Sequence, residues 1–250
     1  MAATGWPSRP AVPDDVAREL LRTGTVDVLG RMPWSSNATF LVEVTGPGGE
    51  MLAVYKPERG ERPLWDFPHG TLGRREAAAA AVSDALGWRI VPDTTLRDGP
   101  AGFGMLQRFV EHDPEQHYFT VLETHHDELA RFAAFDVVIN NADRKGGHVL
   151  LAPDGHLWGI DHGVSFHVQW KLRTVIWEFA DEAIPPASCD DLCRLRAELD
   201  VESSTVRRAL DDVLAPAEVA AVAARVDALL SAGVLPAADP GWHAYPWPLV

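Results

Sequence analysis

The stretch that decides the reading is Phe135–His167, FDVVINNADRKGGHVLLAPDGHLWGIDHGVSFH. Apolar residues at Phe135, Val137, Val138 and Ile139 carry the chain into a polar turn that holds Asp143. His148 follows five residues later, just ahead of Val149, Leu150 and Leu151. Pro153-Asp154-Gly155 is a turn signal between two short apolar runs, so residues 148–152 and 156–160 are predicted to form a hairpin. That hairpin ends on Asp161-His162-Gly163, with Asp161 eighteen residues after Asp143.

Taken singly, each residue has an ordinary explanation, because an Asp in a loop commonly closes a turn through its own carboxylate. The combined spacing says more. A carboxylate at Asp143 could accept a proton from an attacking hydroxyl. A carboxylate at Asp161, following an apolar strand and preceding Gly163, could hold a hard divalent cation on phosphate oxygens. An acid on a loop, a metal-capable side chain soon after it and a second acid at the end of a hairpin form the layout used for phosphoryl transfer.

Asn140-Asn141-Ala142-Asp143-Arg144 and Gly159-Ile160-Asp161-His162-Gly163 resemble the catalytic and metal motifs of the phosphatidylinositol 3-/4-kinase-like group. That group also takes in bacterial toxin-type Ser/Thr kinases and secretory-pathway kinases, and within it the chain resembles an actinobacterial branch. The resemblance covers roughly Gly30 to Phe179. It implies ATP-dependent phosphoryl transfer, with ATP and Mg²⁺ (or Mn²⁺) as cofactors, Asp143 as catalytic base, and Asp161 and His148 as metal ligands. It leaves the hydroxyl-bearing acceptor open. His148 stands where the family pattern has Asn, which keeps a pseudokinase or nucleotide-binding regulatory module as an alternative. A small-molecule, aminoglycoside-type phosphotransferase is the other, although the two motifs fit the phosphoinositide-kinase-like group better.

Composition bounds the partners. The 250 residues carry 22 basic and 36 acidic side chains, and the net charge of −14 disfavours nucleic acid and anionic lipid surfaces. No stable membrane association is therefore expected. A hydrophobic content of 46% with 23% charged residues is ordinary for a globular protein able to bury a sizeable core. The two cysteines, Cys189 and Cys193, are too few for a structural zinc site and read as reduced thiols on one helix face. The N-terminal residues lack an apolar core of signal-peptide length and no apolar run could span a bilayer, so a cytoplasmic protein is expected.

Taken in order, residues 1–13 read as a flexible lead-in and Val16–Arg22 as a short helix started by Asp14 and Asp15. Val26–Leu29 and Ala38–Val44 are predicted strands flanking a polar turn in which Ser36 and Asn37 are weak candidates for phosphate contact. Met51–Lys56 is the next strand, after the Gly46-Pro47-Gly48-Gly49 turn. In a kinase-like chain Lys56 takes the place of the strand lysine that pairs with the α- and β-phosphates, and Glu76 is its orienting carboxylate. Glu76 opens an alanine-rich helix that ends near Gly87.

Between them residues 58–75, ERGERPLWDFPHGTLGRR, form an irregular insertion that either covers the nucleotide, shapes the acceptor pocket or plugs the lobe interface. Ile90–Leu96 and Phe103–Val110 are predicted strands, and kinase-like folds would turn Arg108 C=O and Val110 N–H toward the adenine edge. His112, His117, His125 and His126 match no standard metal spacing and read as solvated. Asp127–Asp136 reads as a helix beneath the catalytic loop, and an apolar pattern from Trp170 to Phe179 begins at a helix start where Lys171 and Arg173 could meet an anionic acceptor. Residues 189–199, 205–214 and 216–230 read as amphipathic helices, and the apolar tail is expected to fold back. The predicted architecture is α+β and bilobal, protein-kinase-like. Residues 14–110 form a small β-rich upper lobe, and residues 111–250 a mostly helical lower lobe that carries the catalytic and metal loops.

Overall fold

The computed structural model describes residues 9, 12–33, 37–239, 241 and 243–250. A five-stranded antiparallel sheet comes first, in the order β1-β2-β3-β5-β4. Its strands are β1 (Thr25–Arg31), β2 (Phe40–Gly46), β3 (Gly49–Pro57), β4 (Thr94–Gly99) and β5 (Gly102–Arg108). β-branched and aliphatic residues on one face of the sheet (Val42, Val44, Met51, Ala53 and Leu106) pack against Ala17, Leu20 and Leu21 of α1 (Asp14–Thr23) as a small separate core. The second face is served by α2 (Leu72–Leu86), whose Ala78, Ala79 and Val82 join the larger core of the helical lobe. Gly87, with φ at 71°, ends α2 in the left-handed conformation that a glycine adopts without steric cost.

The helical lobe contains α3 (Tyr118–Val121), α4 (His126–Ile139), α5 (Pro186–Leu199), α6 (Thr205–Asp211) and α7 (Pro216–Ala232), with the two-stranded hairpin β6 (Val149–Leu151) and β7 (Leu157–Gly159). Its core runs from Ala78 to Leu235 and gathers Phe132, Phe135, Phe166 and Phe179 around α4. No helix among the described residues is long and apolar enough to cross a membrane.

Several local expectations are corrected. The Phe135–Ile139 run is not a separate lead-in but the last turns of α4, which continues three residues past Asp136. Ile90 and Val91 are not strand residues: both are buried in the helical core, and their N–H groups donate to Ser83 Oγ at 2.8 and 3.1 Å. β4 begins only at Thr94. Residues 170–179 form no helix, because their backbone is used by the catalytic loop: Arg173 N–H donates to Asn141 O and Val175 N–H to Arg144 O. Residues 72–75 of the expected insertion are the first turn of α2, started by Glu61, whose carboxylate accepts from the Leu72 and Gly73 N–H groups at 3.2 and 2.9 Å. The tail does fold back, and Leu249 O accepts the Gly146 N–H at 2.7 Å.

Candidate active site

The loop after α4 is built by its two asparagines. Asn140 ends the helix at φ 53°, a left-handed position that Asn tolerates better than most residues. Its amide donates to His167 O and Gln169 O at 2.8 and 2.7 Å and accepts from Lys171 N–H at 2.8 Å, which pins the segment following Asp161. Asn141 donates to Asp136 at 3.0 Å and accepts the Asp143 N–H at 3.0 Å, so it sets where Asp143 stands.

Beneath the loop lies a fully buried ion pair. Arg144 donates to both oxygens of Asp136 at 2.9 to 3.2 Å, to the carbonyls of His148 and Ile160, and to His162 Nε2 at 2.7 Å. One guanidinium thereby ties α4 to both ends of the β6–β7 hairpin. His162 accepts at Nε2 and is held far below its ordinary pKa, first by burial and then by Arg144, so it stays neutral.

Lys56, on β3, donates to Glu76 of α2 at 2.6 Å and also to Asp161. Burial alone would lower the Lys56 pKa, but Asp161 and Glu76 outweigh it and the ammonium is held above its ordinary range. Glu76 is buried and pushed upward by desolvation, only partly offset by Lys56, and its Oε2 has no hydrogen-bond partner among the described residues. Asp161 adopts φ 59°, a left-handed position that Asp, like Asn, tolerates better than most residues. Burial would raise its pKa, yet Lys56 and the nearby His148 bring it below the carboxylate range. His148 Nε2 stands 3.5 Å from Asp161 Oδ2, and Lys145 N–H faces its Nδ1 at 3.4 Å. Burial lowers the His148 pKa to about 4, so the ring is neutral and chemically able to bind metal.

Asp143 keeps a third of its side chain exposed and accepts from Lys145 Nζ at 2.7 Å. Burial raises its carboxyl above the ordinary value; Lys145 opposes the shift and Asp161 adds to it.

Among the described residues no group of three or more His, Cys, Asp or Glu side chains forms a ready cation cage. Asp161 and His148 converge as a pair of donors, and this suits an ion that takes most of its shell from phosphate and water.

A family model described as phosphatidylinositol 3- and 4-kinase matches residues 93–201. Protein Rv2133c from Mycobacterium tuberculosis is 42% identical over 270 aligned positions, spanning 94% of this chain and 95% of the relative. The chain belongs to the phosphatidylinositol 3-/4-kinase-like family. Solved structures agree on the fold. The Golgi casein kinase with Mn/ADP bound superposes with a TM-score of 0.57 at 14% identity, covering 95% of this chain and 80% of that one. The Helicobacter pylori proinflammatory kinase CtkA gives 0.50 at 11% identity, covering 85% and 93%. The lobed, protein-kinase-like architecture is thus shared with kinases that have little sequence in common with this family member.

The site brings Lys56, Glu76, Asp161 and His148 together, with Asp143 nearby. Ser36 lies outside the described residues, and the Asn37 side chain accepts Arg62 N–H at 2.9 Å, tying it to the insertion. Arg108 donates its backbone N–H to Asp93 O, and Val110 O contacts the His112 ring. Lys171 does not face an acceptor: it is buried and ion-paired with Asp66 of the insertion at 2.7 Å, under Trp65. Asp66, with Phe67 against His167, makes the insertion a brace for the segment after Asp161. Asp136, Lys145 and Arg75 also support the site, although the motif spacing does not mark them. Arg75, buried, reaches from α2 to Ser165 O at 2.7 Å and to Glu218 of α7 at 2.6 Å. A charged residue inside an apolar helical run, as Asp136 is in FDVVI, is the signal that a buried partner exists.

Proposed function

We propose that the protein is an ATP-dependent phosphotransferase that moves the γ-phosphoryl group of ATP to the hydroxyl of a soluble acceptor, a protein or a small molecule. The observation that carries this reading is Lys56 bridging Glu76 and Asp161 in one site, with Asp143 close by on the loop that Asn141 positions. Lys56, oriented by Glu76, meets the α- and β-phosphates. Asp143, whose raised pKa makes it a better base than an ordinary carboxylate, takes the acceptor's proton. The oxygen so released forms its bond to the γ-phosphorus as the bond to the departing ADP breaks.

Asp161 and His148 would hold the divalent ion, which supplies charge neutralisation on the phosphates when bound. The Golgi casein kinase structure with Mn/ADP supports the same pairing of nucleotide and metal here. Arg108 C=O and Val110 N–H, at the exit from β5, take the adenine edge, and Ser36 and Asn37 serve as the weaker phosphate contacts. On this reading the lobes divide near residue 110.

Incubation with γ-labelled ATP tests the proposal. Wild-type protein should transfer label to an acceptor, or slowly to water, and Asp143→Asn should abolish transfer while nucleotide binding persists. Binding by wild type with no turnover in any acceptor pool would instead make the protein a nucleotide-binding module.

A further inference from the structure

Arg75 is a buried charge that phosphoryl transfer itself does not use, and it stands next to Glu76 on α2. Only 1% of its side chain is exposed. Its guanidinium donates to Glu218 Oε1 of α7 at 2.6 Å and to Ser165 O, in the segment after Asp161, at 2.7 Å. The Phe67 ring of the insertion lies against it, 4.8 Å away. Successive side chains on a helix point about 100° apart, so Arg75 reaches into the helical lobe while Glu76 reaches Lys56 at 2.6 Å. The other end of α2 is tied to the same lobe. Trp88 Nε1–H donates to Asp191 of α5 at 2.8 Å, and Arg194 of α5 donates to Leu86 O at 3.0 Å. α2 is therefore fastened to the helical lobe at both ends, whereas Lys56 belongs to β3 of the sheet.

We propose that Arg75 and Glu218 are positioning residues for the nucleotide site: their ion pair sets the orientation of α2 and so fixes Glu76 at Lys56, with no phosphorylation required. The assignment rests on the phosphotransferase reading and adds its regulation. In protein kinases the strand lysine and the helix glutamate must be paired for activity, and activation-loop phosphorylation controls that pairing through the position of the helix. Here an ion pair within the chain does the same work. Withdrawing Glu76 from Lys56 means turning or sliding α2, and either motion parts Arg75 from Glu218 and from Ser165 O together. That leaves a guanidinium uncompensated in a low-dielectric interior, which is strongly unfavourable. Because Ser165 follows Asp161 by four residues, the same side chain also holds that segment against α2. Glu218 is the more accessible partner, with 12% of its side chain exposed.

The test measures the Kd of the full chain for ATP with Mg²⁺ by titration calorimetry, beside the denaturation midpoint of each variant. Arg75→Met and Glu218→Gln should each weaken ATP binding by about three- to thirtyfold. Glu218→Gln keeps the size of the side chain and removes only its charge, so it decides the matter if Arg75→Met does not fold. Asp191→Ala, which loosens the other end of α2, should lower the midpoint while Kd stays within about twofold of wild type. In a Glu76→Gln background, Glu218→Gln should add no further loss of affinity, since the ion pair acts through Glu76. Phosphatase-treated wild type should bind ATP as tightly as untreated protein. An unchanged Kd in Glu218→Gln, an equal loss of affinity in Asp191→Ala, the same loss persisting without Glu76, or weaker binding after phosphatase would each overturn the assignment. Any of those results beside normal wild-type binding removes the positioning role alone. A wild type that binds no ATP removes the phosphotransferase reading and the positioning role with it.

Discussion

Two carboxylate–cation pairs lie within ten residues of each other at this site, and they differ in nearly everything except chemistry. Asp136 and Arg144 are both 0% exposed, and five further groups satisfy the guanidinium or the carboxylate. Asp143 and Lys145 retain 34% and 21% of their side-chain exposure and are linked by one contact at 2.7 Å. Breaking a fully buried pair strands a charge in a low-dielectric interior, whereas opening a partly solvated pair exchanges one partner for water. The first pair is therefore scaffold and the second is available for chemistry, although Arg144 immediately follows Asp143 in the chain.

Arg144→Ala should produce the largest effect. It leaves the Asp136 carboxylate buried and uncompensated, a loss of about 3–5 kcal/mol, which is a large share of a total stability of roughly 5–15 kcal/mol. Chemical denaturation should show a much lower midpoint or no cooperative transition; a wild-type midpoint would break the contrast between the pairs. Asp143→Asn should do the reverse, with melting close to wild type and label transfer from ATP down by about 10²–10⁴-fold. Lys145→Ala sharpens the comparison further. It should change stability by no more than about 1 kcal/mol, and it should shift the pH at which transfer switches on, since Lys145 holds the Asp143 pKa down against burial. An unchanged pH profile would mean that the lysine is ornamental.

The same contrast explains what the sequence could and could not reveal. The hairpin was legible because turn chemistry specifies it, and Asp143 and Asp161 because of their spacing along a short stretch; Lys56 and Glu76 stand out only through the kinase resemblance, since their strand and helix patterns alone read as a solvated edge and a helix-start charge. Arg144 was visible only as a letter in a motif, since its role depends on meeting Asp136 across the end of α4 and His162 beyond the hairpin. Arg173 and the tail come together across some seventy residues, and no local pattern encodes that. Ile90-Val91 looked like a strand because β-branched residues favour strands. Burial against α4 and the hydroxyl of Ser83 decided otherwise.

Smaller effects concern His148. As a metal ligand, a neutral imidazole favours Mn²⁺ over Mg²⁺ more than an amide does, so His148→Asn should reduce the Mn²⁺ preference of nucleotide binding. Without a metal, the Lys145 N–H at Nδ1 favours the tautomer with its hydrogen on Nε2, facing Asp161, so ligation through Nε2 requires that proton to leave the nitrogen. An unchanged metal preference would show that this hydrogen bond, not ligation, is the role of the ring. Acid stability gives a second check. The unfolded ring takes up a proton near pH 6.5, whereas the folded ring resists to about 4. Stability is therefore intact above pH 6.5 and falls toward pH 4 by about 1.4 kcal/mol per pH unit. That slope, read from denaturation midpoints, should flatten in His148→Asn.

Whether Lys56 and Asp161 form a nucleotide–metal site is decided by thermal shift with ATP and Mg²⁺. At about a hundredfold excess over Kd, binding contributes about 2.7 kcal/mol, which in a domain of this size raises Tm by roughly 5–10 °C. Wild type should show that shift, and it should nearly disappear in Lys56→Ala and in Asp161→Ala. Equal shifts in wild type and both variants would contradict that site.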